Sequence, residues 1–311
     1  MSAPDVVDAC SLVYDHDCWE RYLRRLAAYA PEYLKVFAHS FTRYFGADPE
    51  EFRRQLRHGP DRAVAVLLAG ARPPFDLDDH LARRRAAGIV SEIAMGIPGF
   101  NERVAAFAAA APGRIHAWAA LSLRGDAAEA VAELKSCLDL GMTGLCIIPF
   151  LDGVDVLEPR FAPVFELAAA ERLGLWLHSG HHFATARPLD ISGWRQLDTL
   201  AGRYPELTIV AGHAGWPWVR ECVAVASRHD NVMLEFSSHR AKHMPLPGSG
   251  WESLLFFAAT SLKHKVMFGS STWVSTVSDE ILIDEVRALG LGPEVTENWL
   301  HGNARRLLSS R

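Results

Sequence analysis

FAPVFELAAAERLGLWLHSGHH, residues 161–182, and LTIVAGHAGWPWVRECVAVA, residues 207–226, decide the fold. In the first stretch Phe161, Val164, Phe165 and Ala168 recur three and four apart, the spacing that collects one apolar face on a helix. The helix stops at Gly174, and Leu175–Ser179 follows as a short apolar run, as expected of a parallel strand buried on both faces. The second stretch runs the other way. Leu207–Ala211 reads as a strand, and Trp218, Val219, Cys222, Val223 and Ala226 return to helical spacing. Strands alternating with helices predict a parallel sheet, because parallel neighbours need a crossover between them.

The same alternation extends in both directions. Ile89–Met95, Ile115–Leu121, Gly144–Phe150, Asn231–Phe236 and Lys265–Gly269 are further strand candidates. A helix carrying Val131, Leu134 and Leu138 begins after Asp126 as its cap and stops at Gly141. The N-terminal run Asp5–Cys10 brings the strand count to eight. Eight such units predict an α/β fold, a (β/α)8 TIM barrel in one domain spanning residues 1–311; such barrels need about 250 residues. An open doubly wound sheet is the alternative, but no GxGxxG follows the first strand to favour it.

The segment from about 14 to 85 is too long for a βα loop. Trp19, Tyr22, Leu23 and Leu26, then Tyr33, Leu34, Phe37 and Phe41, give it helical patterns before the turn-rich AGARPPFDLDD, residues 69–79. It reads as a helical insertion after strand one on the C-terminal rim, either covering the pocket or meeting a second subunit.

Hydrophobic residues make up 49% and charged residues 22%, the balance of a soluble globule with a sizeable core. A formal charge of −5 gives no field of one sign, so neither nucleic acid nor an anionic membrane is an expected partner. Five cysteines without a CxxC pair suit free thiols in a reducing compartment. MSAPDVVDAC has no basic region leading into a long apolar run, and no stretch of about 18 apolar residues occurs anywhere, so a cytoplasmic location is expected.

In a barrel the C-terminal ends of the strands surround one pocket. Strand five ends in LWLHSGHH, with His178 at its tip and His181 and His182 beyond. Strand six ends at His213 between two glycines, and strand seven in EFSSHR, which offers Ser237, Ser238, His239 and Arg240. Strand eight ends in MFGSSTW, with Ser271 and Trp273, and strand one at Cys10, Ser11 and Leu12.

GVDVLEPRFAPVFELAAAERLGLWLHSG, LTIVAGHAGW, KVMFGSS and ENWLHGNARRLL together resemble the amidohydrolase-related (amidohydrolase 2) family of decarboxylases and hydrolases, of the aminocarboxymuconate-semialdehyde decarboxylase type. The resemblance covers about residues 85–308. It implies one divalent metal, often zinc, held by an HxH or ExH pair on strand one, a histidine on strand five and an aspartate on strand eight. It also implies a proton-transfer histidine on strand six. Carried over by position, His178 matches the strand-five ligand and His213 the proton-transfer residue. The strand-one pair falls on Cys10 and Leu12, and the strand-eight aspartate on Ser271.

Leucine cannot ligate, and a serine hydroxyl is a poor substitute for a carboxylate in a zinc site. No cofactor is therefore expected, unless Asp8, Cys10 and His178 form a rearranged site for zinc or another divalent cation. A metal-free pairing of Cys10 with His178 or His213 is a second possibility, beside Cys10 as a small apolar filler.

The reading that follows is a metal-independent enzyme, a hydrolase or carbon–carbon lyase. It would act on a small reactive organic acid, lactone or aromatic derivative by hydrolysis, decarboxylation or cyclisation, with His213 and His178 as catalytic groups. His181, Arg240, Ser271, Cys10, Trp216 and Trp273 are the substrate-binding candidates, Arg240 because a guanidinium grips a carboxylate bidentately. The alternative is an inactive pseudoenzyme that binds a ligand or stabilises an active paralogue, and a homodimer or such a heteromer is a possible assembly. The histidines at 16, 39, 58, 80, 116, 229, 243, 264 and 301 read as structural or surface residues.

Overall fold

A computed structural model describes residues 5–309. Its eight strands are β1 (Val6–Ser11), β2 (Ile89–Met95), β3 (Ile115–Leu121), β4 (Gly144–Ile147), β5 (Gly174–His178), β6 (Thr208–Gly212), β7 (Val232–Glu235) and β8 (Val266–Met267). They pair in sequence order, each parallel to the next. Backbone bonds from Ala9 N–H to the Phe268 carbonyl (2.8 Å) and from Ser271 N–H to the Cys10 carbonyl (3.3 Å) draw the first strand against the last. Helices fill the crossovers, which is the barrel architecture read from the alternation. The Asp126 side chain caps its helix as expected, accepting from Ala128 N–H.

Two strands end sooner than their apolar runs. The run 144–150 leaves the sheet at Ile147, because Pro149 has no N–H to donate and instead opens a four-residue helix, Pro149–Asp152. The run 265–269 contributes only Val266 and Met267 to the ladder. Its remaining residues curve over the barrel end, where Gly269 lies against Glu235 and Cys10.

Alternate residues point inward, and the barrel interior is filled by Val7, Ala9, Ile93, Trp118, Trp176, Val210 and Met233, among others. Two indoles form much of the floor, and glycines make room for them. A Cβ at Gly144 or Gly174 would fall inside the Trp118 ring, and one at Gly212 inside the Trp176 ring. A wider apolar shell lies between strands and helices.

Six helices lie between β1 and β2: His16–Tyr29, Glu32–Val36, Ala38–Phe45, Pro49–Leu56, Pro60–Leu68 and Leu77–Ala86. The first three reach over the C-terminal ends of the strands, placing Tyr22, Arg25, Tyr33 and Phe37 in the wall of the central cavity. The last returns the chain to β2 and carries Arg84 against the seam between β1 and β8. There Arg84 pairs with Asp8 and bonds Asp279 (2.9 Å) and Glu92 (3.1 Å). Among the described residues no helix is long and apolar enough to cross a membrane, and all five cysteines are buried and free.

Candidate active site at the strand tips

The cavity at the C-terminal end of the barrel holds about 310 Å³ and is walled by a mixture of aromatic and aliphatic side chains with four histidines. One side of it belongs to β5, β6 and the loop after β7. His178 ends β5, buried, with its ring 4.7 Å from that of Phe150 and 5.0 Å from that of His213. Its Nδ1 is buried without a hydrogen-bond partner among the described residues. That atom has essentially no accessible surface, so it is the rest of the imidazole that lines the cavity.

His213 follows β6 with its Nδ1 2.9 Å from the Ser237 carbonyl and 3.1 Å from Ser237 Oγ. A carbonyl only accepts, so Nδ1 carries the proton and Nε2 keeps its lone pair. His239, beyond β7, sits with its ring centroid 6.3 Å from His213 and against Trp216 and Trp251 at 5.2 and 5.1 Å.

Burial controls the charge of this side. It holds His213 down at about 4, opposed by the Ser237 carbonyl, and His239 at about 3, with His213 adding to the effect. Burial and the adjacent His213 also push His178 well below the ordinary range. All three imidazoles are neutral at neutral pH.

The opposite side is formed by β1 and the loop after β8. Cys10, Leu12 and Ser271 all face the cavity. Cys10 Sγ lies 3.6 Å from Ser271 Oγ. Burial and the nearby Glu235 carboxylate push the thiol far up, the reverse of an activated nucleophile. Among the described hydrogen bonds Cys10 Sγ meets Ser271 Oγ, not His178 or His213.

The backbone bends sharply at these tips. His213, Ser238 and Ser271 adopt positive φ of 59°, 66° and 39°. Left-handed conformations in non-glycine residues cost free energy and collect at functional sites. Here they turn the chain away from each strand end so that the side chains face the cavity.

A family-type divalent metal does not fit these donors. Leu12 offers no lone pair, Ser271 presents a hydroxyl where the family pattern needs a carboxylate, and Cys10 is left as the one soft donor on this side. Asp8, needed for the rearranged site with Cys10 and His178, is turned away from the cavity. Its Oδ1 accepts from Cys10 N–H (3.0 Å) and Ser270 N–H (2.9 Å), and its Oδ2 is taken by Arg84. Among the described residues no group of three or more His, Cys, Asp or Glu is arranged to hold a metal ion.

His181, Trp216 and Trp273 line the cavity as well. Trp273 is stacked on Phe41 at 4.6 Å, and Trp216 donates its indole N–H to the Ser249 carbonyl (3.0 Å). His182 points aside, its Nε2 3.0 Å from the Pro188 carbonyl. Arg240 is a correction: it lies outside the cavity wall, its guanidinium engaged bidentately by Glu285. The cation in the wall is Arg25, bonded at 2.5 Å to Asp152. Its sequence signal was the helical face Tyr22, Arg25, Tyr29, in which one charge shares the spacing of the aromatics. Glu235 was equally visible as a lone acid inside the apolar run NVMLEF.

A family model described as amidohydrolase matches residues 17–309. No curated protein matches the sequence. Among solved structures, an uncharacterised TIM-barrel protein from Bordetella bronchiseptica is 21% identical with a TM-score of 0.72, and the match covers 98% of both chains. 5-Carboxyvanillate decarboxylase from Sphingomonas paucimobilis is 17% identical with a TM-score of 0.64, covering 98% of this chain and 99% of that one. The 5-carboxyvanillate decarboxylase of Novosphingobium aromaticivorans, solved as a variant with bound manganese and 3-methoxy-4-hydroxy-5-nitrobenzoic acid, is 18% identical with a TM-score of 0.57, covering 83% and 93%.

Proposed function

We propose that this chain, which belongs to the amidohydrolase family, is an enzyme that transforms a small planar acid, lactone or aromatic derivative by histidine acid/base chemistry without the divalent metal of its relatives. The observation that carries this reading is the division of the cavity. Neutral imidazoles occupy one side, while Cys10, Leu12 and Ser271 occupy the side where a metal would be gripped. The aromatic walls suit a flat substrate, in keeping with the aromatic acid named for the two decarboxylases of similar fold. Arg25 supplies the one guanidinium in that wall for a carboxylate, already partly neutralised by Asp152.

In this reading His213 Nε2 accepts a proton from the bound substrate, while Nδ1–H stays fixed on the Ser237 carbonyl. The resulting imidazolium returns the proton at a second atom. A histidine held at about 4 is a weak base whose conjugate acid gives up its proton readily. A substrate carboxylate in the cavity would raise its basicity, since a nearby anion favours the charged imidazole. General acid/base help of this kind supplies about 10²–10⁴-fold, enough for an activated substrate and too little for an ordinary amide. The substrate is accordingly one with an acidic C–H or a good leaving group. His178, whose ring lines the cavity beside His213, orients it.

The test is the metal content of the purified protein, before and after chelation, beside a screen of small aromatic and unsaturated carboxylates and lactones. The expected result is substoichiometric metal and turnover unchanged by chelation. Stoichiometric zinc or manganese with activity lost on its removal would overturn the reading.

A further inference from the structure

Glu235 ends β7, fully buried and outside the cavity wall, yet it is tied to the histidine that faces the cavity. Three donors converge on its carboxylate. The Ser237 N–H reaches Oε1, and Oε2 receives Ser237 Oγ–H (2.9 Å) and the Trp176 indole N–H (3.1 Å). Among the described residues it forms no ion pair. Asp8 and Cys10 face it from β1, and Gly269 makes room for it from β8, since a Cβ there would overlap the carboxylate. Ser237 Oγ lies in turn 3.1 Å from His213 Nδ1.

We propose that Glu235 is a positioning residue of His213, reinforcing through the Ser237 hydroxyl the tautomer that the Ser237 carbonyl selects and that presents a bare Nε2 to the cavity. This rests on the assignment of His213 as the acid/base group, but it can be read without turnover. Hydrogen-bond polarity links the two side chains. A carboxylate with three donors aimed at it obliges the Ser237 hydroxyl to spend its proton on Oε2. The hydroxyl oxygen then offers only lone pairs toward His213, so the Nδ1 proton is shared between that oxygen and the Ser237 carbonyl. Reversing the hydroxyl would aim its proton at Nδ1 and leave the carbonyl facing a lone pair. Glu235 is the group that forbids this. When His213 takes up a proton at Nε2, the same chain carries the anion's field to the imidazolium, much as an outer carboxylate orients a ligating histidine.

Two variants test the link, Glu235→Gln and Ser237→Ala. In protein labelled with ¹⁵N-histidine, the ring-nitrogen signals of His213 are assigned by their loss in His213→Asn. In the unaltered protein at pH 8.5, above the value of about 7 to which burial lifts Glu235, they should have the Nδ1–H pattern. Glu235→Gln, which must set an amide against donors, should give a mixed tautomer signal. Ser237→Ala, which keeps the backbone acceptor and the acid but cuts the link, should shift the Nδ1 resonance. A signal identical to the unaltered protein in either folded variant overturns the proposal. On a substrate from the screen, each variant should lower kcat by about 10- to 100-fold with KM within about twofold; a change confined to KM would also overturn it. If the nitrogen signals move and no substrate is found, the assignment of Glu235 stands and the proposed enzyme activity falls.

Discussion

Asp8 and Glu235 are both fully buried carboxylates of the same barrel, one on β1 and one on β7, and they are handled in opposite ways. Asp8 meets the guanidinium of Arg84, which also bonds Glu92 and Asp279. Against the cost of burial, the Arg84 charge and a bond from His80 (2.7 Å) hold Glu92 at about 2. That cluster is charged, paired and outside the main cavity, and it ties the six-helix segment to the seam between first and last strands. Among the described residues Glu235 has no cation partner. Burial lifts it to about 7, with only hydrogen bonds from Trp176 and Ser237 opposing. The Arg84 charge outweighs burial at Glu92 but not at Asp8, whose carboxyl is raised as that of Glu235 is; at Glu235 only neutral donors oppose burial, which leaves it able to change state near neutral pH.

The comparison can be pressed hardest at His213. His213→Asn keeps a residue that tolerates the left-handed backbone at that position. It should lower turnover of a substrate from the screen by about 10²–10⁴-fold while the thermal midpoint stays close to that of the parent. A variant with unimpaired kcat would remove His213 from the chemistry.

Arg84→Met should act the other way, on stability more than on the mouth. Removing one partner of a buried ion pair strands the others, at a cost of about 3–5 kcal/mol. Urea unfolding followed by circular dichroism measures this. A loss under about 1 kcal/mol would mean that the seam behaves like a surface pair and that the contrast with Glu235 is overstated.

The smallest effect concerns pH. His178, His213 and His239 are held neutral in the fold, whereas unfolded histidine titrates near 6.5. Below that value the unfolded chain takes up protons that the fold refuses, so their stabilising contribution is lost as pH falls from about 6.5 towards 4. Glu235 and Asp8, both raised, run in the opposite sense: their contribution is present at low pH and is lost as pH rises, for Glu235 through about 7. Three imidazoles outweigh these two in the acid range that matters for the mouth, and stability should decline on acidification. His239→Gln should make that decline shallower by up to about one proton, roughly 1.4 kcal/mol per pH unit. An unchanged slope between pH 6.5 and 4 would show that His239 is not held neutral.

Much of this molecule was legible before any coordinates. The parallel sheet followed from apolar runs alternating with helical spacing. The placement of Cys10, Leu12 and Ser271 at one cavity wall followed from their positions at the ends of the first and last strands. Arg240 failed because a guanidinium in a loop sequence carries no record of which acid it will meet, and Glu285 is 45 residues away. Arg25 was passed over because helical spacing marks a face without saying what that face covers. Glu235 was read as part of a strand because the sequence does not say that its neighbours are donors and no cation.

Sequence alone determined the number of strands and their parallel order, because periodicity is a local property of the chain. Tertiary structure decided which ionisable groups are charged. That depends on which side chains from distant strands share a low-dielectric interior, and on whether an arginine is among them.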